Sequence, residues 1–149
     1  MKNKKPQNPI TILLADDDED DRFFFEEALK EVSVVTQLKT VDDGAKLIDY
    51  LVKDPEHLPD VLFLDLNMPR KNGFECLAAI KQNEKLKTLP VVIYSTSLDK
   101  AEAGKLYNEG AHYYLHKCDF NDLKQRIEQV LTLLTENFEQ PSRDKFILV

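Results

Sequence analysis

The segment that decides the fold is Ile10–Ala15, with the sequence ITILLA, which leads directly into Asp16 and Asp17. A short apolar run without polar alternation is typical of a strand that is buried on both faces of a parallel sheet. Ligand sites of open α/β sheets lie beyond the carboxyl ends of their strands. The segment therefore predicts a buried parallel strand that carries two carboxylates to the edge of a crevice.

Two later runs repeat this design. Val61–Leu64 leads into Asp65, and Val91–Tyr94 leads into Ser95. Because the carboxyl ends of parallel strands meet at one edge of a sheet, the three runs are expected to gather three carboxylates and a hydroxyl in one crevice. We interpret this crevice as the functional site.

Stretches with helical periodicity alternate with the apolar runs, which is typical of repeated βα units. The predicted strands are residues 10–15, 34–41, 61–64, 91–94 and 111–116. The predicted helices are residues 18–32, 44–52, 73–82 and 98–108, followed by a long fifth helix that Asp119 caps. With right-handed crossovers, this order predicts an α/β fold with a doubly wound, five-stranded parallel sheet.

Helical periodicity also predicts which side chains enter the core. In the first helix Phe24, Phe25, Ala28 and Leu29 share an apolar face, whereas Phe23 lies off that face and is a candidate contact residue. The fourth helix has few large apolar residues and an interior glycine, which costs roughly 1 kcal/mol relative to alanine. We expect it to be the most loosely held helix.

Length and composition suit a single domain, because 149 residues with 42% hydrophobic content are enough for one core. We divide the chain into a flexible N-terminus (1–9), one domain (10–138) and a C-terminal tail (139–149), without an output domain. The net charge of −7 argues against nucleic-acid binding, which requires basic surface. Neither a membrane span nor a secretion signal is evident, so we expect a cytoplasmic protein without a membrane partner.

The chain ends in an apolar run, Phe146–Val149, which follows a polar segment. Two interpretations remain open: a frayed tail, or a segment that docks on its own domain, on a second copy or on a partner. Leu133 lies off the apolar seam of the fifth helix. Together the run and Leu133 suggest a surface for a homodimer.

The acidic residues Asp16, Asp17 and Asp65 are expected to place three negative charges within a few ångströms. Such an arrangement is costly unless a cation is bound. Oxygen ligands without a neighbouring Cys or His favour Mg²⁺. The acidic residues 18–21 are interpreted differently, because they lie in the first turn of a helix, where carboxylates interact favourably with the helix dipole.

Asp65 is either a third metal ligand or a nucleophile, since carboxylates attack phosphoryl groups to form aspartyl phosphates. Phosphoryl transfer needs a metal, a second cation and hydrogen-bond donors around the transferred group. Lys117 follows the fifth predicted strand and supplies an ammonium, and Ser95 supplies a hydroxyl. Four strand ends therefore offer an acid pair, an acid, a hydroxyl and an amine.

This combination of residues resembles the receiver domain of bacterial two-component response regulators, including single-domain chemotaxis-type and phytochrome-associated members. The resemblance covers about residues 10 to 135. The motifs that carry it are LLADD at 13–17, LDLNMP at 64–69 with Gly73, PVVIYS at 90–95, and Gly110-Ala111 followed by Tyr114 and Lys117. It implies a flavodoxin-like sheet with strand order 2-1-3-4-5.

The resemblance also implies roles for the residues that bind the metal. Asp65 would accept a phosphoryl group from the phosphohistidine of a sensor histidine kinase. Asp16 and Asp17 would hold Mg²⁺ together with Asp65, and the backbone carbonyl of Asn67 would be a further ligand. The protein would then be a signalling switch rather than a conventional enzyme, with only self-phosphorylation and self-dephosphorylation chemistry.

Further roles follow for the residues around the phosphoryl group. Ser95, with Thr96 beside it, and Lys117 would bind the phosphoryl oxygens. Tyr114 would be the aromatic residue whose rotamer changes with the state. Phosphorylation would then change the surface formed by the fourth helix, the fifth strand and the fifth helix.

The chain departs from the family pattern at two positions. Family members usually have Lys-Pro after the fifth strand, often with a cis peptide bond, whereas Cys118 follows Lys117 here. A cis bond before a residue other than proline costs roughly 2.5–4 kcal/mol, so either the strain is tolerated or the bond is trans. Ser95 replaces the more common threonine, which retains the hydroxyl.

Four interpretations are compared at this point. The protein is either a terminal switch with an unknown downstream protein, or a relay intermediate that passes the phosphoryl group to a phosphotransfer domain. An Mg²⁺-dependent phosphatase of the aspartyl-phosphate type would want a second acid two residues after the nucleophile, where the chain has Asn67. A degenerate receiver that only binds partners would normally have lost an acid or the lysine, and all are present.

Overall fold

The computed structural model describes residues 9–97, 99–117 and 119–148. Its strands are β1 Ile10–Ala15, β2 Thr36–Val41, β3 Val61–Leu64, β4 Val91–Ser95, β5 Tyr113–His116 and β6 Ile147–Leu148. Its α-helices are α1 Glu19–Leu29, α2 Gly44–Lys53, α3 Gly73–Gln82, α4 Lys100–Asn108 and α5 Phe120–Glu136. Within these ranges, no helix is long and apolar enough to cross a membrane.

The strands form one parallel sheet in the order β2-β1-β3-β4-β5-β6. The predicted order of the first five strands is confirmed, but the prediction of a five-stranded sheet is wrong. The sixth strand comes from the apolar end of the chain, where Tyr114 of β5 pairs with Ile147 and Leu115 pairs with Leu148. It forms because Phe146 and Leu148 bury their side chains against the domain.

Alternate residues of each central strand enter two separate cores, as expected for a doubly wound sheet. On β1, Leu13 packs with the side of the sheet that carries α2, α3 and α4, whereas Ile12 and Leu14 pack with the side that carries α1 and α5. Both faces of the central strands are therefore apolar. This explains why their sequences are continuous rather than alternating.

An Asp or Asn side chain caps the N-terminus of every α-helix in the described ranges. The cap residues are Asp18, Asp43, Asn72, Asp99 and Asp119. These caps set where the helices begin, because a side-chain oxygen satisfies one of the free N–H groups of the first turn. The predicted start of α4 at Leu98 lies outside the described residues, as do residues 1–8, which we expected to be flexible.

The first helix differs from its prediction in two ways. It ends at Leu29 rather than near Val32, and Phe24 is 50% exposed instead of buried. Phe25, Ala28 and Leu29 alone fill the helix's buried face. Phe23 is 55% exposed, as its position off the apolar face predicts, so two adjacent phenyl rings of α1 face the solvent.

The C-terminal tail packs against its own domain, which selects one of the interpretations left open by the sequence. Phe146 lies against the rings of Tyr107 and Tyr114, and the hydroxyl of Tyr107 donates a hydrogen bond to the carbonyl of Pro141 at 2.7 Å. Leu133 is partly buried rather than exposed and packs against the core under α5. The apolar residues that suggested a homodimer are therefore largely used within the chain.

Candidate functional site

Three strand ends converge as the sequence predicts. Asp16 and Asp17 follow β1 and Asp65 follows β3, and one carboxylate oxygen from each lies within 4.8 Å of the others. Asp16 is fully buried and Asp65 is 5% exposed, whereas Asp17 is exposed. The site thus combines two buried carboxylates with one exposed carboxylate.

The two oxygens of the Asp16 carboxylate have different partners. Its Oδ1 accepts a hydrogen bond from the backbone N–H of Asp18 at 3.0 Å. Its Oδ2 is buried and forms an ion pair with the ammonium of Lys117, whose Nζ lies 2.8 Å away. Burial raises the pKa of Asp16, and Lys117 opposes that rise. A buried carboxylate oxygen that already faces a positive charge is compatible with a role as a metal ligand.

Asp65 is positioned by close packing around its loop. A β-carbon on Gly73 would lie 2.5 Å from the carbonyl oxygen of Asp65, so only glycine lets the start of α3 approach this closely. The backbone N–H of Gly73 donates to the carbonyl of Leu66 at 2.9 Å, which fixes the same loop. The motif glycine of the sequence therefore serves the geometry of the site.

The charge state of Asp65 depends on its surroundings. Burial raises the pKa of Asp65 to about 7, Lys117 opposes the rise, and the charge of Asp16 adds to it. The backbone N–H of Asn67 donates to Asp65 Oδ1 at 3.3 Å, whereas the Asn67 residue itself is exposed. A cation at the site would stabilise the ionised form that a nucleophile needs.

Lys117 is the cation that these carboxylates share. Its Nζ lies 2.8 Å from Asp16 Oδ2, 2.8 Å from Asp21 Oδ2 and 3.8 Å from Asp65 Oδ2, and its side chain is only 10% exposed. Burial acts to lower the pKa of Lys117, but Asp16 and Asp21 outweigh it and raise the pKa above its usual value. The ring of Tyr94 lies 5.1 Å from the ammonium.

The hydroxyl side of the crevice is built by the end of β4. Ser95 is buried, its carbonyl accepts from the backbone N–H of Lys117 at 2.7 Å, and its Oγ accepts from the N–H of Ser97 at 3.3 Å. Thr96 is exposed, and its carbonyl oxygen lies 2.8 Å from Nε2 of His116. These contacts bring Ser95 and Lys117 to the same corner of the crevice.

Tyr114 lies behind Ser95 and is fully buried. Its hydroxyl donates to the carbonyl of Ser97 at 2.5 Å, in the segment that leads from β4 to α4. Burial raises the pKa of Tyr114, while hydrogen bonds with Ser95 and Ser97 oppose the rise. Tyr114 therefore connects the hydroxyl corner of the site with the start of α4.

Two residues of the site escaped the sequence analysis. Asp21 contacts Lys117 directly, and the guanidinium of Arg22 donates to the backbone carbonyl of Asp16 at 2.8 Å. The sequence analysis missed Asp21 because it lies in the acidic run 18–21, which was interpreted as a whole as the first turn of a helix. The available signal was position: Asp21 lies one helical turn after the cap residue Asp18, on the side that faces the sheet edge.

The peptide bond between Lys117 and Cys118, which the sequence marked as a departure from the family, involves a residue outside the described ranges. The ammonium of Lys117 nevertheless reaches all three buried or half-buried carboxylates, Asp16, Asp21 and Asp65. The side chain of Lys117 therefore lies among the carboxylates of the site.

Comparison with known proteins agrees with this geometry. The sequence model of the response regulator receiver domain matches residues 12–128. Response regulator Rcp1 from Synechocystis sp. is 32% identical over 139 residues, which span 90% of this chain and 95% of Rcp1. The chain therefore belongs to the response regulator receiver domain family, whose members act in two-component systems.

Two solved structures make the relationship more specific. The phosphorylated cyanobacterial phytochrome response regulator RcpA has a TM-score of 0.79 and 30% sequence identity, covering 91% of this chain and 100% of RcpA. The Mn²⁺-bound form of Rcp1 has a TM-score of 0.76 and 32% identity, covering 90% of this chain and 100% of that chain. The chain is thus similar to phytochrome-associated response regulators over nearly its whole length.

Proposed function

We propose that Asp65 is the phosphoacceptor of this protein and that a sensor histidine kinase phosphorylates it in an Mg²⁺-dependent reaction. The observation that carries the proposal is the convergence of three carboxylates, Asp16, Asp17 and Asp65, with the ammonium of Lys117 reaching the same group. This is the set of charges that phosphoryl transfer to a carboxylate requires. The similar response regulator Rcp1 has been solved in an Mn²⁺-bound form, which supports a divalent cation in this protein.

The metal would be held by carboxylate oxygens of Asp16, Asp17 and Asp65, together with the backbone carbonyl of Asn67. The buried Oδ2 of Asp16, which faces the positive charge of Lys117 at 2.8 Å, fits such a ligand. When bound, Mg²⁺ would neutralise charge on the transferred phosphoryl oxygens and on the carboxylates.

The chain's own residues perform the transfer. A carboxylate oxygen of Asp65 attacks the phosphorus of the phosphohistidine, the P–N bond breaks, and the imidazole nitrogen leaves with the electron pair and gains a proton. The ammonium of Lys117 and the hydroxyl of Ser95, with the neighbouring Thr96, stabilise the oxygens of the transferred group. Water then attacks the phosphorus of the acyl phosphate, the bond between phosphorus and the Asp65 oxygen breaks, and inorganic phosphate leaves, which returns Asp65 to its free carboxylate.

The phosphorylated state would be read through Tyr114. A phosphoryl group that draws Ser95 inward changes the Ser97 carbonyl contact of Tyr114, and Tyr114 in turn touches Phe146 of the tail. We therefore infer that the switched surface consists of α4, β5 and α5, with β6 lying on the β5 edge. The chemical change biases a two-state element, as in other phosphorylation switches.

The partners follow from this chemistry. The exposed rings of Phe23 and Phe24 lie on α1, directly after the turn that borders the site, and offer an apolar contact for the kinase. The switched surface would engage a downstream protein or pass the phosphoryl group to a phosphotransfer domain. We infer a cytoplasmic protein, and the net charge of −7 disfavours nucleic acid as a partner.

Acetyl phosphate with Mg²⁺ tests the proposal by intact-mass measurement. We expect the wild type to gain one phosphoryl group, and the label to be lost in Asp65→Asn and in excess chelator. Asp49→Asn is the matched control, because it removes an exposed carboxylate that lies outside the site. Undiminished labelling of Asp65→Asn, or full labelling without a divalent cation, would refute the assignment.

A further inference from the structure

The first turn of α1 places a fourth carboxylate at the phosphoacceptor site. Asp21 Oδ2 accepts a hydrogen bond from Nζ of Lys117 at 2.8 Å, a contact one ångström shorter than that between Nζ and Asp65 Oδ2 at 3.8 Å. The Asp21 side chain is 31% exposed and that of Lys117 is 10% exposed. Solvent therefore screens this ion pair only in part, whereas fully exposed ion pairs contribute little interaction free energy.

Asp21 is not among the carboxylates that converge on a metal ion. That group consists of Asp16, Asp17 and Asp65. When a cation takes oxygens of Asp16 and Asp65, Asp21 still has an oxygen that is committed to Lys117. The contact between Asp21 and the ammonium therefore does not have to break when the metal site is filled.

We propose that Asp21 is a positioning residue that holds the ammonium of Lys117 beside Asp65 rather than on it until Asp65 is phosphorylated. The proposal rests on the proposed function of Asp65. In the unphosphorylated protein the Asp21 contact keeps Lys117 from competing with the metal for the Asp65 oxygens. In the phosphorylated protein the ammonium must exchange Asp21 for the phosphoryl oxygens, so Asp21 opposes the active state.

Because of this competition, the loss of Asp21 is expected to change Mg²⁺ binding and phosphoryl-group binding in opposite directions. Without the Asp21 charge, Lys117, which already lies 2.8 Å from Asp16 Oδ2, interacts more strongly with the metal ligands Asp16 and Asp65 and weakens Mg²⁺ binding. The same loss frees the ammonium for a phosphoryl group and strengthens binding of beryllofluoride, an anion that stands in for that group. A ligand shifts an equilibrium between two states only if it interacts differently with them. Here the contacts of Lys117 differ between the unphosphorylated and the phosphorylated state.

The matched pair Asp21→Asn and Asp20→Asn separates a direct contact from a general charge effect. Asp20 lies in the same helical turn and carries the same charge, but it is exposed. We expect Asp21→Asn to weaken Mg²⁺ binding about fivefold and to tighten beryllofluoride binding about fivefold, the size of a partly shielded ion pair. Asp20→Asn should change both constants by less than about twofold, because solvent screens its charge.

The second arm repeats both substitutions in a Lys117→Met background. If Asp21 acts through Lys117, the difference between Asp21→Asn and Asp20→Asn disappears there, as a double-mutant cycle requires. Calorimetric titration with Mg²⁺ alone, and fluorine NMR of beryllofluoride in saturating Mg²⁺, provide the two constants. Circular dichroism checks that the isosteric variants are folded.

The outcomes distinguish this inference from the proposed function. A wild type that binds no beryllofluoride would refute the role of Asp65 and, with it, the inference. A wild type that binds it, with Asp21→Asn indistinguishable from Asp20→Asn, would refute the role of Asp21 alone. Persistence of the Asp21→Asn effect in the Lys117→Met background would show that Asp21 does not act through the lysine.

Discussion

Two shielded lysines at opposite ends of the sheet show how partners decide the chemistry of a buried charge. Lys117 lies at the carboxyl ends of the strands, where Asp16, Asp21 and Asp65 surround its ammonium. Lys81 lies near the amino ends of β4 and β5, where its ammonium donates to the carbonyls of Lys87 at 3.0 Å and Leu89 at 2.8 Å.

The two side chains respond to burial in opposite directions. Burial lowers the pKa of Lys81 to about 8, and no carboxylate of the described ranges forms an ion pair with it. Burial also disfavours the charge of Lys117, but its carboxylate partners raise that pKa above the ordinary value. Neutral carbonyls satisfy a lysine's donors without compensating its charge, whereas carboxylates do both.

The end of the sheet that contains Lys81 also contains a histidine, His112, whose pKa is shifted by burial. His112 accepts from the N–H of Val91 at Nδ1, at 3.4 Å, and its Nε2 lies 3.0 Å from the carbonyl of Phe138. These partners assign the neutral tautomer that carries its proton on Nε2. Burial lowers the pKa of His112 to about 4, with the nearby charge of Lys81 adding to the effect.

The largest expected effect is that of Lys117→Met on stability. Removing the cation leaves the buried carboxylate of Asp16 uncompensated, and breaking a buried pair in this way costs about 3–5 kcal/mol. Urea unfolding without divalent cation measures the loss. Saturating Mg²⁺ should recover a large part of it, because the metal replaces the missing positive charge.

Lys81→Met is the control for that experiment, because it removes a shielded ammonium without leaving a carboxylate unpaired. We expect it to change the unfolding free energy by about 1 kcal/mol and to be insensitive to Mg²⁺. Equal losses in the two variants, or no rescue of Lys117→Met by Mg²⁺, would contradict the comparison between the two ends of the sheet.

The next largest effect concerns acid stability. The pKa of His112 is about 4 in the folded state and 6.5 in its ordinary state, so between these values the unfolded chain binds more protons. Its contribution to stability is therefore complete above pH 6.5 and is lost as the pH falls toward 4. Relative to His112→Gln, the wild type should lose about 3 kcal/mol over this interval.

Denaturant unfolding of both proteins at several pH values between 4 and 7 provides that difference. The comparison between variants removes the contribution of the other carboxylates. Parallel pH profiles for the wild type and His112→Gln would contradict the prediction that burial lowers the pKa of His112.

The smallest effect is the alkaline response of Lys81. Because its folded pKa of about 8 lies below the ordinary 10.5, stability should rise with pH across this interval and fall as the pH returns through 8. We expect the gain to be smaller than that of His112, since solvent screens a side chain that is partly exposed. The measurement is the difference in unfolding free energy between the wild type and Lys81→Met from pH 8 to 10.5. A difference that falls with pH would contradict the lowered pKa of Lys81.

Much of the site was predictable because strand ends are local features of the sequence. Asp16, Asp65 and Ser95 each follow a run whose burial is evident from its residues, and parallel pairing brings those ends together. Lys117 follows the same logic after β5. Gly73 was visible as part of a motif, but its reason, the 2.5 Å approach to the Asp65 carbonyl, depends on how α3 meets the loop.

The amino-acid sequence by itself determined the order of the βα units, the helix caps and the set of chemical groups at the carboxyl edge, because these depend on local periodicity and on residue type. Only the tertiary structure decided that Phe24 is exposed, that β6 extends the sheet, and that Asp21 rather than its acidic neighbours holds Lys117. These features depend on contacts between segments far apart in the chain. The pairing of Asp21 with Lys117 joins residues 96 positions apart, and no local pattern specifies such a contact.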